Sequence, residues 1–421
     1  MDKIRIAGGT PLHGTVSIQG SKNAALPMMA ASLLFPGVSV LRGCPEIADV
    51  WCMEQILTEL GAETWWEGHD LYLDCTSADK NWIPGSYTGR MRSSMILLGP
   101  MLGRNQKGAL GYPGGCVIGR RPIDLHMMVL KELGAELWQG PEMIQASCGR
   151  LRGKEIFFSG KSVGATEQGI LSAVLAEGET IFHNCAREPE IQWLCRYLRS
   201  MGARIQGEGE DCIRICGVSS LERGGDMKVP PDRIVAGTYL CACAATRGNI
   251  VLENPPVEEL KAFLEVYGKM GGQYKVKSGK LIADGSAVGF PIPFLETEVY
   301  PGFPTDLQSP LMAVLATIPG TSCIREQIFE DRYKAAAWLN NMGARIEVKE
   351  GTAWIYGGHP LHGGQVQAEE LRGGAALVLA ALSAKGVTEI RGYSFIRRGY
   401  EHICEDMEAL GGRIIKDTGS E

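Results

Sequence analysis

ILTELGAE (56–63), VLKELGAE (129–136), YLRSMGAR (197–204), VYGKMGGQ (266–273), WLNNMGAR (338–345) and DMEALGGR (406–413) are six versions of one phrase. Each closes a helical pattern on Leu or Met, then places a glycine, then Ala or Gly. The glycines, Gly61, Gly134, Gly202, Gly271, Gly343 and Gly411, lie 73, 68, 69, 72 and 68 residues apart, so a unit of close to 70 residues recurs. Self-similarity at a fixed period marks a repeated architecture. A glycine after the last apolar residue of a helix predicts a left-handed cap that ends it.

The rest of each unit repeats as well. A strand pair with a Gly-containing turn follows the cap, as in ARIEVKEGTAWIYG (344–357). Next comes a helix of small residues, such as NAALPMMAASLL (23–34), TYLCACAAT (238–246) or LRGGAALVLAAL (371–382). A β-branched strand, VSVLRG (38–43) or NIVLEN (249–254), leads into the next amphipathic helix. The fold class is therefore α/β, built of α+β repeats, with six units arranged as three in each of two domains. PLHGTVSIQGSKNAAL (11–26) echoes PLHGGQVQAEELRGGAAL (360–377), so the first residues are expected to complete the domain that contains the last unit. The expected division is 21–230 for one domain and 1–20 with 231–421 for the other.

Bulk properties exclude several classes. A chain of 421 residues is too long for one ordinary core. Its net charge of −6 argues against binding nucleic acid through bulk charge. No apolar run reaches the roughly 18 residues of a membrane span, and none of signal-peptide length opens the chain. The 13 cysteines form no CxxC pair and no framework of paired spacings, so a reduced, cytoplasmic setting without a zinc site is expected.

The unusual polar residues gather at two points of the repeat. At the start of the small-residue helix stand Lys22 and Asn23, Arg92, Ser162 to Gly164, Asp232 and Arg233, Thr305 and Asp306, and Glu370 to Arg372. In the loop before the amphipathic helix stand Cys116 to Asp124, Glu188, Glu330 to Arg332, and Arg397 with Arg398. Helix N-termini present free N–H groups and partial positive charge, which suits anions. Any one of these arginines would serve equally as a surface charge, and Thr305–Asp306 as a helix cap; recurrence at equivalent points favours an anion site. Two familiar motifs fail. Gly160–Lys161–Ser162 lacks the P-loop glycine five residues before Gly160, where Glu155 stands, and the glycines around 111–119 miss the dinucleotide spacing.

SKNAALP (21–27), GGCVIGRRPIDLH (114–126), SVGATE (162–167), REPEI (187–191), PDRI (231–234), PGFPTDLQ (301–308) and RRGYE (397–401) together carry a resemblance over essentially the whole chain. In these segments the chain resembles the UDP-N-acetylglucosamine enolpyruvyl transferases. The resemblance implies a two-domain inverted α/β barrel with three repeats per domain and an active site in the interdomain cleft. It implies transfer of the enolpyruvyl group of phosphoenolpyruvate to the 3′-hydroxyl of UDP-N-acetylglucosamine, a step of peptidoglycan synthesis, with release of phosphate and no metal or cofactor.

By the same resemblance Cys116, in its glycine hinge, is the proton donor and the residue that fosfomycin alkylates, and Asp306 is the base near the sugar hydroxyl. Lys22 and Arg398 complete the catalytic set. Lys22, Asn23, Arg121, Arg372 and Arg398 would hold phosphoenolpyruvate. Arg92, Arg121, Pro122, Ile123, Asp124, Leu125, Ser162, Val163, Gly164, Asp306 and Ile328 would hold the sugar nucleotide. Glu370 stands where the family often has Asp, Arg397 where an acid can precede the arginine, and Lys161 directly beside Ser162. Competing readings are a sister transferase acting on another alcohol, an idle UDP-sugar sensor, and an RNA-processing enzyme of similar repeat.

Overall fold

The computed structural model describes residues 2–115 and 118–415, so Cys116 lies outside the described residues. The chain divides into two compact units: 20–116 with 121–230, here the first, and 1–19 with 117–120 and 231–421, the second. Residues 118–120 make their contacts within the second unit. The Ile118 carbonyl accepts from the Asp331 N–H at 3.1 Å, and the Arg120 N–H donates to Glu330 Oε2 at 3.0 Å.

Among the described residues there are six four-stranded sheets on one plan: a parallel edge strand, a central strand, then two antiparallel strands. Glu155–Phe157 runs parallel to Glu179–His183, which pairs antiparallel with Cys212–Cys216, which pairs with Arg204–Gln206. A parallel pair needs a crossover, and the helix Val163–Ala173 supplies it. Three sheets are assembled from distant sequence. Asp226–Lys228 lies beside Val38–Arg42, and His13–Ser17 beside Asn249–Glu253. Lys3–Ala7 lies between Val387–Arg391 and Arg413–Ile415, in the sheet of the final repeat.

The small-residue helices are apolar on all sides and therefore buried on all sides. Ala24–Ser32, Ala165–Ala173, Arg233–Thr246, Gln308–Ala316 and Leu371–Leu382 are buried without interruption. Small side chains permit the close approach: a Cβ on Gly237 would lie 2.5 Å from Leu307 Cδ1. The amphipathic helices end as the repeated phrase predicts, with φ between +86° and +108° at the six glycines. At the first, the Gly61 N–H bonds the Thr58 carbonyl and the Ala62 N–H bonds the Leu57 carbonyl, satisfying two orphan acceptors.

Two of the small-residue helices start differently from the others. Arg92–Leu97 and Thr305–Leu307 are 3₁₀ turns that lead into the helices Leu98–Asn105 and Gln308–Ala316. Pro100 and Pro310 sit at the third position of those helices. Proline has no N–H to bond the carbonyl four residues back, and its ring crowds that carbonyl. The α-ladder cannot extend backward, so Arg92 and Asp306 are displayed on tighter turns.

Candidate active site

In the second unit the centre is Asp306. Arg332 Nη2 donates to its Oδ1 at 2.5 Å and Arg372 Nη2 to its Oδ2 at 3.0 Å. The two guanidinium side chains are 3% and 2% exposed while the carboxylate remains 26% exposed, so two buried cations aim one acceptor toward solvent. Buried charges persist only when paired in this way. Burial opposes the charge on Arg372, yet Asp306, Tyr400 and Asp232 outweigh it and hold the guanidinium above its ordinary range. Arg372 also lies over the Tyr400 ring at 5.5 Å, and the Tyr400 hydroxyl bonds Thr238 at 2.8 Å. Arg332 Nε and Arg372 Nη1 are buried donors with no acceptor among the described residues, capacity that an anionic ligand would use.

Glu370 stands at one departure from the family pattern. It is the N-cap of Leu371–Ser383, and its carboxylate accepts from the Arg372 and Gly373 N–H groups. The cap keeps Arg372 in the first turn of that helix. Arg398 lies on the loop that Gln19 clamps from both sides: Gln19 Nε2 donates to the Gly399 carbonyl at 3.2 Å, and Oε1 accepts from the Glu401 N–H at 2.8 Å. Arg397 beside it is exposed. Ile328 is exposed on a turn organised by Glu326. Glu326 Oε1 accepts from the Ile328 and Phe329 N–H groups at 2.8 and 3.1 Å, and its Oε2 accepts from the Thr305 hydroxyl at 2.9 Å.

The first unit gathers cations. Ser21 caps the helix Lys22–Ser32 by accepting from the Ala24 N–H, which leaves Lys22 and Asn23 at its first turn. Lys22 Nζ sits 3.5 Å from Asp49, a buried carboxylate in the first turn of Ala48–Glu59. Arg92 Nη2 donates to the Pro122 carbonyl at 2.8 Å, joining it to the 121–125 segment. Burial and, after it, the charge of Arg121 lower the Arg92 pKa to about 10. Asp124 and Leu125 open the helix Asp124–Glu132 after Ile123.

Ser162 caps Val163–Ala173 through the Ala165 N–H. Gly164 meets His126: a Cβ there would lie 2.9 Å from the imidazole Cε1. The 162–164 and 121–126 segments therefore touch, and only glycine fits the contact. Burial, followed by Arg92, pushes the His126 pKa down to about 4, so a neutral ring sits beneath the cations. Lys161 is turned to Asp211 and the Cys185 carbonyl.

Sequence reasoning did not single out Asp49, His126, Gln19 or Glu326, and it noted Arg332 without a role. The partners that tie them to other segments lie 21 to 382 residues away, so no local pattern could have announced those ties. His126 is the exception, since it closes the RPIDLH segment itself.

The fold is that of the enolpyruvyl transferases. The enolpyruvyl transferase NikO from Streptomyces tendae superposes with a TM-score of 0.88 over 98% of both chains, at 24% identity. An EPSP synthase from Acinetobacter baumannii does so with a TM-score of 0.74 over 99% of both chains, at 20% identity. The family model for EPSP synthase (3-phosphoshikimate 1-carboxyvinyltransferase) matches residues 6–407.

A relative from Caldanaerobacter subterraneus subsp. tengcongensis, named UDP-N-acetylglucosamine 1-carboxyvinyltransferase 2, is 41% identical over 99% of this chain and all of its own. One from Symbiobacterium thermophilum, named UDP-N-acetylglucosamine 1-carboxyvinyltransferase 1, is 43% identical over 98% of this chain and 94% of its own. The chain belongs to the EPSP synthase family, in its UDP-N-acetylglucosamine 1-carboxyvinyltransferase branch.

Proposed function

We propose that this protein transfers the enolpyruvyl group of phosphoenolpyruvate to the 3′-hydroxyl of UDP-N-acetylglucosamine, releasing phosphate, as a step of peptidoglycan synthesis. The observation that carries the reading is Asp306, held between two buried arginines with its carboxylate still open to solvent. A carboxylate oriented in this way can fix a sugar hydroxyl and accept its proton.

The sugar oxygen bonds to the central carbon of phosphoenolpyruvate while Cys116 delivers a proton to the methylene carbon. The adduct is a tetrahedral ketal that keeps its phosphate. Loss of a proton from the new methyl group and departure of inorganic phosphate restore the double bond. Lys22, Asn23, Arg121, Arg372 and Arg398 hold the phosphate and carboxylate, and charge-assisted donors of this kind stabilise the charge that moves between them. Arg92, residues 121–125, Ser162 to Gly164, Asp306 and Ile328 hold the sugar nucleotide. The lowered pKa of Arg92, due first to burial and then to Arg121, is consistent with this role, because a bound diphosphate would offset both.

The twelve described cysteines are free thiols, and no helix among the described residues is long and apolar enough to cross a membrane. Both fit work in the cytoplasm. In this reading residues 21–230, and 1–20 with 231–421, act as the two domains of the enzyme.

The test is phosphate release from phosphoenolpyruvate, with and without UDP-N-acetylglucosamine, before and after fosfomycin. Sugar-dependent release that fosfomycin abolishes is the expected result, and Cys116→Asp should keep turnover while escaping inactivation. Release with another alcohol but not with this sugar nucleotide would overturn the reading in favour of a sister transferase.

A further inference from the structure

We propose that Glu326 is a positioning residue that sets the sugar-nucleotide site by tying the Asp306 turn to the Ile328 turn. The inference rests on the reading above, in which Asp306 and Ile328 meet the same ligand.

Glu326 follows the strand Gly320–Arg325 and is 8% exposed. A carboxylate at that depth needs its lone pairs occupied. It receives donors from two directions. The Thr305 hydroxyl, one residue before Asp306, donates to Oε2. The N–H groups of Ile328 and Phe329 donate to Oε1. The Glu326 N–H is itself bonded to the Gly351 carbonyl at 2.8 Å, so the backbone from which the carboxylate projects is held in place. One side chain thus fixes the spacing between two turns that the sequence separates by about twenty residues. Arg332, six residues beyond Glu326, reaches back to Asp306. The segment 326–332 therefore grips the Asp306 turn at both of its ends.

The chemistry distinguishes the possible substitutions. Glu326→Gln keeps the geometry: the amide oxygen accepts from the two N–H groups, and the amide nitrogen donates to the Thr305 oxygen, since a hydroxyl works in either sense. Glu326→Ala removes all three bonds and leaves three part-buried donors without their acceptor. Thr305→Val cuts only the link to the Asp306 turn.

The experiment measures calorimetric affinity for UDP-N-acetylglucosamine, the KM values for both substrates, and amide hydrogen exchange at Ile328 and Phe329 in the absence of substrate. Glu326→Ala should weaken sugar-nucleotide affinity by about 30-fold, change the KM for phosphoenolpyruvate by less than about threefold, and speed exchange at both amides. Glu326→Gln should recover affinity to within about threefold of wild type. Thr305→Val should weaken affinity by about tenfold while leaving exchange at Ile328 and Phe329 protected.

Three results would overturn the proposal: unchanged exchange in Glu326→Ala, equal loss of affinity for both substrates, or a Gln variant no better than the Ala variant. Absence of sugar-dependent turnover in the wild-type protein would instead overturn the functional reading, and the exchange measurement still judges the tie itself.

Discussion

The Asp306 centre and the Arg92 centre solve opposite electrostatic problems. Around Asp306 the charges are opposite and paired: one carboxylate lies between two arginines that are almost wholly buried, and Arg372 is held above its ordinary range there. Around Arg92 they oppose one another, since burial and Arg121 both work against its charge and a neutral His126 lies beneath. The first arrangement pairs its carboxylate within the protein and orients it, while Arg332 Nε and Arg372 Nη1 are left without an acceptor among the described residues. The second holds a cation against burial and a like charge, which under the proposed function an anionic ligand would relieve. Stability and function should therefore respond in opposite ways to substitutions in the two regions.

The largest effect is expected at Asp306. Asp306→Asn should bind UDP-N-acetylglucosamine yet lower turnover about 100-fold or more, measured by phosphate release. Asp306→Ala should in addition destabilise the fold by about 3 kcal/mol, because two buried guanidiniums lose their partner, measured by urea unfolding. Arg92→Met makes the contrast: affinity for the sugar nucleotide should fall about tenfold while unfolding stability stays level or rises. A loss of stability at Arg92 matching that at Asp306 would break the comparison.

His126 sharpens it through pH. Its folded pKa of about 4 lies below the ordinary 6.5, so the unfolded chain binds the proton more readily. The stability contributed is complete above about pH 6.5 and is lost as pH falls toward 4, about 2 kcal/mol between pH 7 and pH 5. Denaturation at the two pH values should show that slope, and His126→Phe should flatten it. The smallest effect belongs to the Glu370 cap: Glu370→Ala should cost about 1 kcal/mol and raise the KM for phosphoenolpyruvate through a loosened Arg372, whereas Glu370→Asp should leave both near wild type.

The sequence alone was enough to expose the architecture, because the repeated phrase is a local device. An apolar stripe, a capping glycine and a return hairpin are encoded within a few residues of one another, and each copy repeats them. It also marked the helix N-termini at Ser21–Lys22, Ser162 and Thr305–Asp306 as the expected places for ligand-facing groups. What it left open is which groups meet. Asp306 finds Arg372 across 66 residues, Gln19 finds Glu401 across 382, and Glu326 finds Thr305 through a turn that no spacing rule describes. Those pairings are decided by burial: a charge taken from water must find a partner wherever the packed helices and sheets bring one, and only the tertiary structure chooses it.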